Sequence, residues 1–327
     1  MLKQLRHWML PAFLVLLCLL VLAWALVMQP LLPGSPGRGQ VEVDPSRLEA
    51  HVRMLTETFI PRNEAHPENL DRAAEYIRRA FERAGGRSSQ QPYQVNGQTY
   101  RNVIAIFGAD TRERIVIGAH YDSVAADVPG ADDNASGVAG LIELARMLSD
   151  PPPPMRVELV AYTLEEGQHF RTERMGSAVH AASLKAKHFS VRAMFSLEML
   201  GYFSDAPETQ AYPHPIMQLF YPSRGNYIAV VGKLDQPLVV RRVKAAMRGA
   251  SSLPVYSINA PRFVPGIDFS DHRNYWDAGY DAVMITDTAF YRNPHYHTAE
   301  DTPETLDYRR MAMVVEGVYA AVQALAD

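Results

Sequence analysis

Compact apolar runs that are typical of strands alternate with helical stretches along most of this 327-residue chain. The predicted strands are NVIAIFG, RIVIGAH, RVELVAYTL, VRAMFSLEML, YIAVVG and DAVMITD, and the first two are expected to be neighbours. A typical helical stretch is ASGVAGLIELARMLSD, which the prolines from Pro151 bring to an end. This alternation favours an α/β fold with a largely parallel or mixed sheet covered by helices on both faces.

The N-terminal part of the chain is predicted to lie outside this fold. Residues 8–28 form an uncharged, mostly apolar run that is long enough to cross a bilayer as a helix. Lys3 and Arg6 precede the run and no charge follows before Arg38, which places the N-terminus in the cytoplasm. We therefore expect a short cytoplasmic N-terminus (1–7), a single transmembrane anchor in the cytoplasmic (inner) membrane (8–28), a linker (29–43) and an extracytoplasmic domain (44–327). The alternative is a signal peptide cleaved after the AWA sequence at 23–25, which would release a secreted domain.

Charge and cysteine content exclude several classes of function. The formal net charge of −4 gives no basic signal for a nucleic-acid partner. Cys18 is the only cysteine, so the chain can form neither an intramolecular disulfide nor a cysteine-based zinc site. Any metal must therefore be bound by histidine and carboxylate side chains.

Such side chains follow four different predicted strands. They are His120 and Asp122 with Asp132 and Asp133 in the next loop, then Glu165 and Glu166, then Glu198, and finally His297. In α/β sheets, ligands gather in the crevice at the carboxyl ends of the strands. We therefore expect clusters that are far apart in sequence to converge in space.

Histidine and carboxylate side chains that converge without cysteine suit divalent metal ions, and this ligand combination is typical of zinc enzymes. The set is too acidic for one zinc ion alone, whereas two ions that share a bridging carboxylate would neutralise it. Two metal ions can also hold a hydrolytic water and polarise a carbonyl group. The sequence thus predicts two Zn²⁺ ions as cofactors.

Six motifs extend this interpretation, and they occur in a consistent order. They are HYDSV, PGADDNASG, EEG with GS ten residues later, SLEMLGY, SDHRNYWDAG and YHTAEDT. Together they resemble metallopeptidase family twenty-eight, the di-zinc aminopeptidases that include secreted bacterial leucyl-type enzymes. The resemblance covers the chain from Leu48 to the C-terminus. It implies a zinc aminopeptidase-like α/β domain with a mixed central sheet of about eight strands flanked by helices.

The resemblance also implies a set of metal ligands. His120 matches a ligand of one zinc ion, and Asp133 matches the carboxylate that bridges both ions. Glu166 and His297 match ligands of the other ion. Glu198 stands where the family usually has an aspartate ligand, so it keeps the carboxylate and adds one methylene.

Further residues match supporting roles in the family. Asp122 matches the carboxylate that orients His120. Glu165 matches the general base that takes a proton from the attacking water and returns it to the leaving amine. The peptide bond between Asp133 and Asn134 is expected to be cis.

The roles of two further acidic motifs have more than one interpretation. Asp132 is interpreted as a helix-cap or loop residue rather than a ligand. The Ser270-Asp271-His272 sequence either lines the substrate site or caps a helix that begins with RNYWDAG.

The predicted function is zinc-dependent peptide-bond hydrolysis outside the cytoplasmic membrane, by an aminopeptidase whose substrate is a peptide with a free N-terminus. One alternative is a glutaminyl-cyclase-like acyltransferase, which uses a related fold with one zinc ion. The other is a catalytically inactive, membrane-tethered binding homologue. The presence of both Glu165 and Glu166 argues against an inactive homologue.

Overall fold

The structure is a computed structural model that describes residues 2–31 and 42–327, with side chains from position 11 onward except at position 12. The helices are α1 (Leu2–Met28), α2 (Pro45–Arg53), α3 (Pro67–Arg83), α4 (Gly137–Met147), α5 (Gly176–Ala186), α6 (Pro237–Ala250), α7 (His272–Ala278) and α8 (Tyr308–Ala326). The strands are β1 (Arg87–Val95), β2 (Gln98–Phe107), β3 (Glu113–His120), β4 (Arg156–Tyr162), β5 (Ser190–Glu198), β6 (Ile228–Lys233), β7 (Val255–Ala260) and β8 (Ala282–Thr286). The predicted α/β alternation is confirmed.

The strands form one eight-stranded mixed sheet in the order β1-β2-β4-β3-β5-β8-β6-β7. The four central strands β4, β3, β5 and β8 run parallel to one another, whereas β2 and β6 flank them in antiparallel orientation. The prediction that β2 and β3 are neighbours is wrong, because β4 lies between them. The crossover through α4 brings β4 back parallel to β3, and β4 takes the position beside it.

Helices cover both faces of the sheet because the central strands are apolar on both faces. Ile115 and Ile117 of β3 face one helical layer, and Val116 between them faces the other, as strand periodicity requires. The first layer contains α2, α3, α4, α6 and α8, and the second contains α5 and α7. Both layers bury the side chains that the sequence places in apolar runs.

Local sequence signals at helix starts are satisfied in the structure. The Asp44 side chain accepts a hydrogen bond from Ser46 N at 2.9 Å, and Pro45 occupies the first position of α2. Helix α4 begins at Gly137, where a Cβ atom would lie 2.6 Å from the main-chain oxygen of Leu197. The missing side chain lets the turn before α4 approach the end of β5, next to Glu198.

The N-terminal segment differs from the prediction. Over the part of the chain whose side chains the structure describes, no helix combines the length and the apolar character that crossing a membrane requires. The predicted transmembrane anchor at 8–28, and with it the membrane partner, is therefore not supported. The side chains of residues 8–10 and 12, and residues 32–41 of the predicted linker, lie outside the described residues.

The last turn of α1 contacts the sheet edge and α6. Lys244 Nζ donates a hydrogen bond to the main-chain oxygen of Met28 at 2.8 Å, and Ser257 Oγ donates to the same oxygen at 2.9 Å. Burial lowers the pKa of Lys244 to about 8. A cationic donor at the carbonyl end of a helix is also favoured by the helix dipole.

Candidate metal centre

The predicted site residues follow the carboxyl ends of the four central parallel strands. His120 is the last residue of β3 and Glu198 is the last residue of β5. Glu165 and Glu166 follow β4, and His297 follows β8 after a longer loop. These four strands are neighbours in the order β4-β3-β5-β8, so their ends meet at one edge of the sheet. The expected convergence is thereby confirmed.

Two overlapping groups of side chains place potential ligand atoms within 4.8 Å of one another. One group contains His120, Asp133 and Glu198, and the other contains Asp133, Glu166 and His297. Asp133 belongs to both, and the two groups together contain all five predicted ligands. A third group joins His120 to Glu165 and Glu166, which places the predicted general base beside the ligands.

The orientations of these atoms fit bound metal ions better than direct hydrogen bonds. His297 Nε2 lies 3.0 Å from Asp133 Oδ2 and 3.3 Å from Glu166 Oε1, yet it has no hydrogen-bond partner among the described residues. Asp133 Oδ1 is also buried without a partner, although His120 Nε2 is only 3.2 Å away. Atoms that approach this closely without hydrogen-bond geometry keep lone pairs that a bound cation could use. Imidazole and carboxylate donors of this kind suit zinc.

The electrostatics of the centre show an excess of negative charge. Burial and the nearby Asp133 carboxylate raise the pKa of Glu166 to about 7. Burial also raises the pKa of Glu165, and the carboxylates of Glu166 and Glu198 add to that rise. Burial alone would lower the pKa of His297, but Asp133 and Glu166 outweigh it and raise the pKa to about 10. Divalent cations would balance this charge.

The Asp122 carboxylate binds the main-chain amides of Glu165 and Glu166. One Asp122 carboxylate oxygen accepts from Glu165 N at 3.3 Å, and the other accepts from Glu166 N at 3.0 Å. The carboxylate lies 3.6 Å from His120 Nδ1, whereas the Asp122 main-chain oxygen lies 3.2 Å from that nitrogen. The predicted contact with His120 is thus made chiefly by the main chain, and the carboxylate binds the turn after β4.

The turn that carries Asp133 is fixed from several directions. The Asp133–Asn134 peptide bond is cis, as predicted. The Asp301 carboxylate accepts from Asp132 N at 2.9 Å and from Asp133 N at 3.1 Å. Asp132 accepts from Gly201 N at 2.8 Å and from Asn293 Nδ2 at 2.8 Å, so both of its carboxylate oxygens are bonded within the protein, and it belongs to none of the ligand groups. The bridging candidate is therefore held by backbone contacts that leave its carboxylate free.

Glu198 has a donor that orients its longer side chain. Ser270 Oγ donates to Glu198 Oε2 at 2.6 Å, and both residues are buried. The same Glu198 oxygen lies 3.5 Å from His120 Nε2. The extra methylene therefore does not remove the carboxylate from the centre.

Comparison with known proteins agrees with this geometry. The sequence profile of Peptidase family M28 matches residues 102–322. The chain belongs to peptidase family M28. It is 49% identical over 294 residues to the uncharacterized protein YfbL of Escherichia coli (strain K12). The aligned region covers 88% of this chain and 89% of YfbL.

More distant M28 relatives have names that state an activity. The chain is 25% identical to leucine aminopeptidase 1 of Fusarium vanettenii over 64% of this chain, and it spans about half (51%) of that protein. The fold resembles the LapA aminopeptidase of Legionella pneumophila, with a TM-score of 0.69, 21% identity, and coverage of 87% of this chain and 72% of LapA. Glutaminyl cyclase from Fimbriiglobus ruber has a similar fold, with a TM-score of 0.67. Likeness at this level establishes the zinc-aminopeptidase type of fold and not the reaction.

Some residues of the M28 centre were not assigned from the sequence. The helix-cap interpretation of Asp271 is wrong, because its carboxylate makes no hydrogen bond to the start of α7. Ser270 instead supports the alternative that this motif lines the site. Asp301 belongs to the recognised YHTAEDT motif, but no role was predicted for it. Arg62, which donates to the main-chain oxygens of Tyr121 and Gly130, has no motif that could have identified it.

Proposed function

We propose that this protein is a zinc-dependent aminopeptidase that binds two zinc ions and hydrolyses the first peptide bond of peptides with a free N-terminus. The observation that carries the proposal is the pair of ligand groups that share Asp133 and lie beside the buried carboxylate of Glu165. His120 and Glu198 would hold one ion, Glu166 and His297 the other, and Asp133 both. The family and the aminopeptidase names of its relatives support peptide hydrolysis.

The chain's own residues account for proton transfer. Two bound zinc ions would polarise the scissile carbonyl and acidify the attacking water. Glu165 is buried at the centre beside His120 and Glu166, a position from which it would accept a proton from that water and deliver it to the leaving amine. Asp122 fixes the main chain of Glu165, so the base is held in place before the substrate arrives.

Metal analysis of the purified protein, combined with a panel of aminoacyl p-nitroanilides, tests this function. We expect two zinc ions per chain, release of p-nitroaniline, loss of activity after chelation and recovery when zinc is restored. Activity that survives removal of all metal would contradict the proposal. A peptide with N-terminal glutamine provides a further distinction, because cyclisation without release of the first residue would identify a glutaminyl cyclase instead.

We also propose that the enzyme acts outside the cytoplasmic membrane. The apolar N-terminal run and the preceding Lys3 and Arg6 support export of the domain. Alkaline phosphatase fused after Asp327 should be active in cells, since this reporter works only after export. An inactive fusion of normal abundance would place the domain in the cytoplasm.

A further inference from the structure

A pocket lies where the end of α1 meets α6 and the edge strand β7. It encloses about 620 Å³, part of it open to solvent. Its side chains come from all three elements and include Trp24, Met28, Lys244, Arg248, Val255 and Tyr256. The pocket shares no lining residue with the cavity that contains the metal ligands, so it is a separate feature of the molecule.

The cations of this pocket form a cluster on α6. Arg241, Lys244 and Arg248 are spaced three and four residues apart, so they lie on one side of the helix. Burial lowers the pKa of Lys244 to about 8, and the positive charges of Arg248 and Arg241 add to that fall. No carboxylate of the described chain acts against them at Lys244. A bound anion would balance this charge.

The N–H donors of these cations are only partly used within the protein. Lys244 Nζ donates to the main-chain oxygens of Met28 at 2.8 Å and Gln29 at 3.1 Å, which leaves one of its three donors. Arg248 is half-buried in the pocket wall and has no hydrogen-bond or ion-pair partner in the part of the chain that the structure describes. A guanidinium group with free donors matches the oxygens of a phosphate group.

The pocket continues into an exposed apolar surface on α1. Leu16, Leu19 and Leu22 are each more than half exposed, and Trp24 follows them at the pocket. Exposed apolar surface of this kind marks an interaction site. An indole ring beside cationic groups is typical of the boundary between lipid and water. A lipid headgroup lies at the bilayer surface, so such a contact does not require a helix that crosses the membrane.

We propose that this pocket binds a phosphate group, carried by the headgroup of an anionic phospholipid or by a soluble phosphate ester. Arg248 and the remaining donor of Lys244 bind the phosphate oxygens, and Arg241 adds positive charge. Trp24 and Val255 offer apolar contacts to the glycerol and the first acyl carbons of a lipid, which a soluble ester lacks. The site is independent of the metal centre and of the proposed peptidase function.

Calorimetric titration of the full-length protein in a nonionic detergent tests the site. The probes are dihexanoyl phosphatidylglycerol, dihexanoyl phosphatidylcholine and glycerol 3-phosphate. We expect phosphatidylglycerol to bind about 10-fold or more tightly than phosphatidylcholine, whose choline cation opposes the arginines. Raising the salt concentration from about 0.05 M to about 0.3 M should weaken this binding, because the pocket is open to solvent.

Arg248→Gln locates the binding in this pocket. The substitution removes one charge and breaks no hydrogen bond of the described chain, so folding is not at risk. It should weaken the binding of phosphatidylglycerol about 10-fold. Arg83→Gln is the matched control, because Arg83 is also an arginine in the last turn of its helix and is exposed. Circular dichroism should show both variants folded, and the control should bind as the wild type does.

The remaining outcomes identify the source of the phosphate or overturn the site. If glycerol 3-phosphate binds as tightly as phosphatidylglycerol and loses affinity in Arg248→Gln, the pocket serves soluble esters rather than lipids. Equal binding of both lipids, unchanged in Arg248→Gln, would mean that α1 alone holds them and would overturn the proposal. Failure of all three probes to bind would overturn it as well.

Discussion

Glu165 and Glu166 are neighbours in sequence, yet the geometry separates their roles. The carboxylate of Glu166 lies 3.3 Å from His297 Nε2, in one of the two groups that share Asp133. Glu165 belongs to neither of these two groups, although its carboxylate lies close to His120 and Glu166. This geometry suits Glu166 to the proposed role of metal ligand and leaves Glu165 for the proposed proton transfer.

Replacing each glutamate with glutamine should therefore give different defects. Glu165→Gln preserves shape and removes the base, so we expect both zinc ions to remain and kcat to fall by about 10²–10⁴-fold. Glu166→Gln replaces a ligand by a neutral amide, so zinc content should fall and added zinc should restore part of the activity. Metal content and kcat measured over a zinc titration separate the two.

Each variant is the control for the other, because both replace glutamate with glutamine and the two positions are adjacent. If added zinc rescues Glu165→Gln and not Glu166→Gln, the two roles are exchanged. If neither change affects kcat or zinc content, neither side chain binds zinc or transfers a proton, and the proposed centre is wrong.

At the scale of elements, the Asp122 carboxylate connects the ends of two central strands. Asp122 follows β3, and its two oxygens bind the amides of the residues that follow β4. In Asp122→Asn, one oxygen becomes an NH₂ group that faces a main-chain N–H donor. We expect a loss of about 10–100-fold in kcat/KM or zinc affinity, as for other groups that support metal ligands.

Asp127→Asn is the matched control, because Asp127 is exposed in the same loop and should tolerate the change. Circular dichroism should show both variants folded. Wild-type kcat/KM and zinc affinity in Asp122→Asn would mean that the two amide contacts do not position the glutamates.

The sequence predicted those strands whose apolar residues form continuous runs, since burial on both faces requires them. It did not predict β1, whose sequence RSSQQPYQV is polar and lies at an edge of the sheet with much of it exposed. It also did not predict β7, whose sequence VYSINA alternates between buried and partly exposed positions at the other edge. An edge strand pairs with one neighbouring strand and is covered on one side, so the apolar pattern in its sequence is weaker.

The candidate site also contains residues that could be identified from the sequence and residues that could not. Side chains at strand ends, such as His120 and Glu198, could be identified because the strands themselves were recognisable. Ser270 and Asp301 act through contacts with chain segments distant in sequence, at Glu198 and at Asp132 and Asp133. Such contacts depend on tertiary structure, and single-residue patterns do not encode them.

At the scale of the whole molecule, two of the buried histidines outside the proposed ligand set, His180 and His272, lie in the helical layer of α5 and α7. Burial lowers the pKa of His180 and of His272 to about 4 in each case. His180 Nδ1 lies 2.6 Å from Tyr275 Oη, and His272 Nε2 lies 2.8 Å from the main-chain oxygen of Ile267. Both side chains are held neutral in a layer that packs directly on the sheet.

These two histidines should therefore lower the free energy of unfolding as the pH falls below about 6.5, the pKa of an unfolded histidine. Between that value and pH 4 each of them binds more protons in the unfolded chain than in the folded one, so its contribution to stability decreases with falling pH. From pH 7 to pH 5 each histidine should contribute about 1–2 kcal/mol to this decrease.

Urea unfolding at both pH values should show a smaller decrease for His180→Gln than for the wild type. The exposed His188→Gln is the control, and an equal decrease in His180→Gln and wild type would show that His180 is not held neutral.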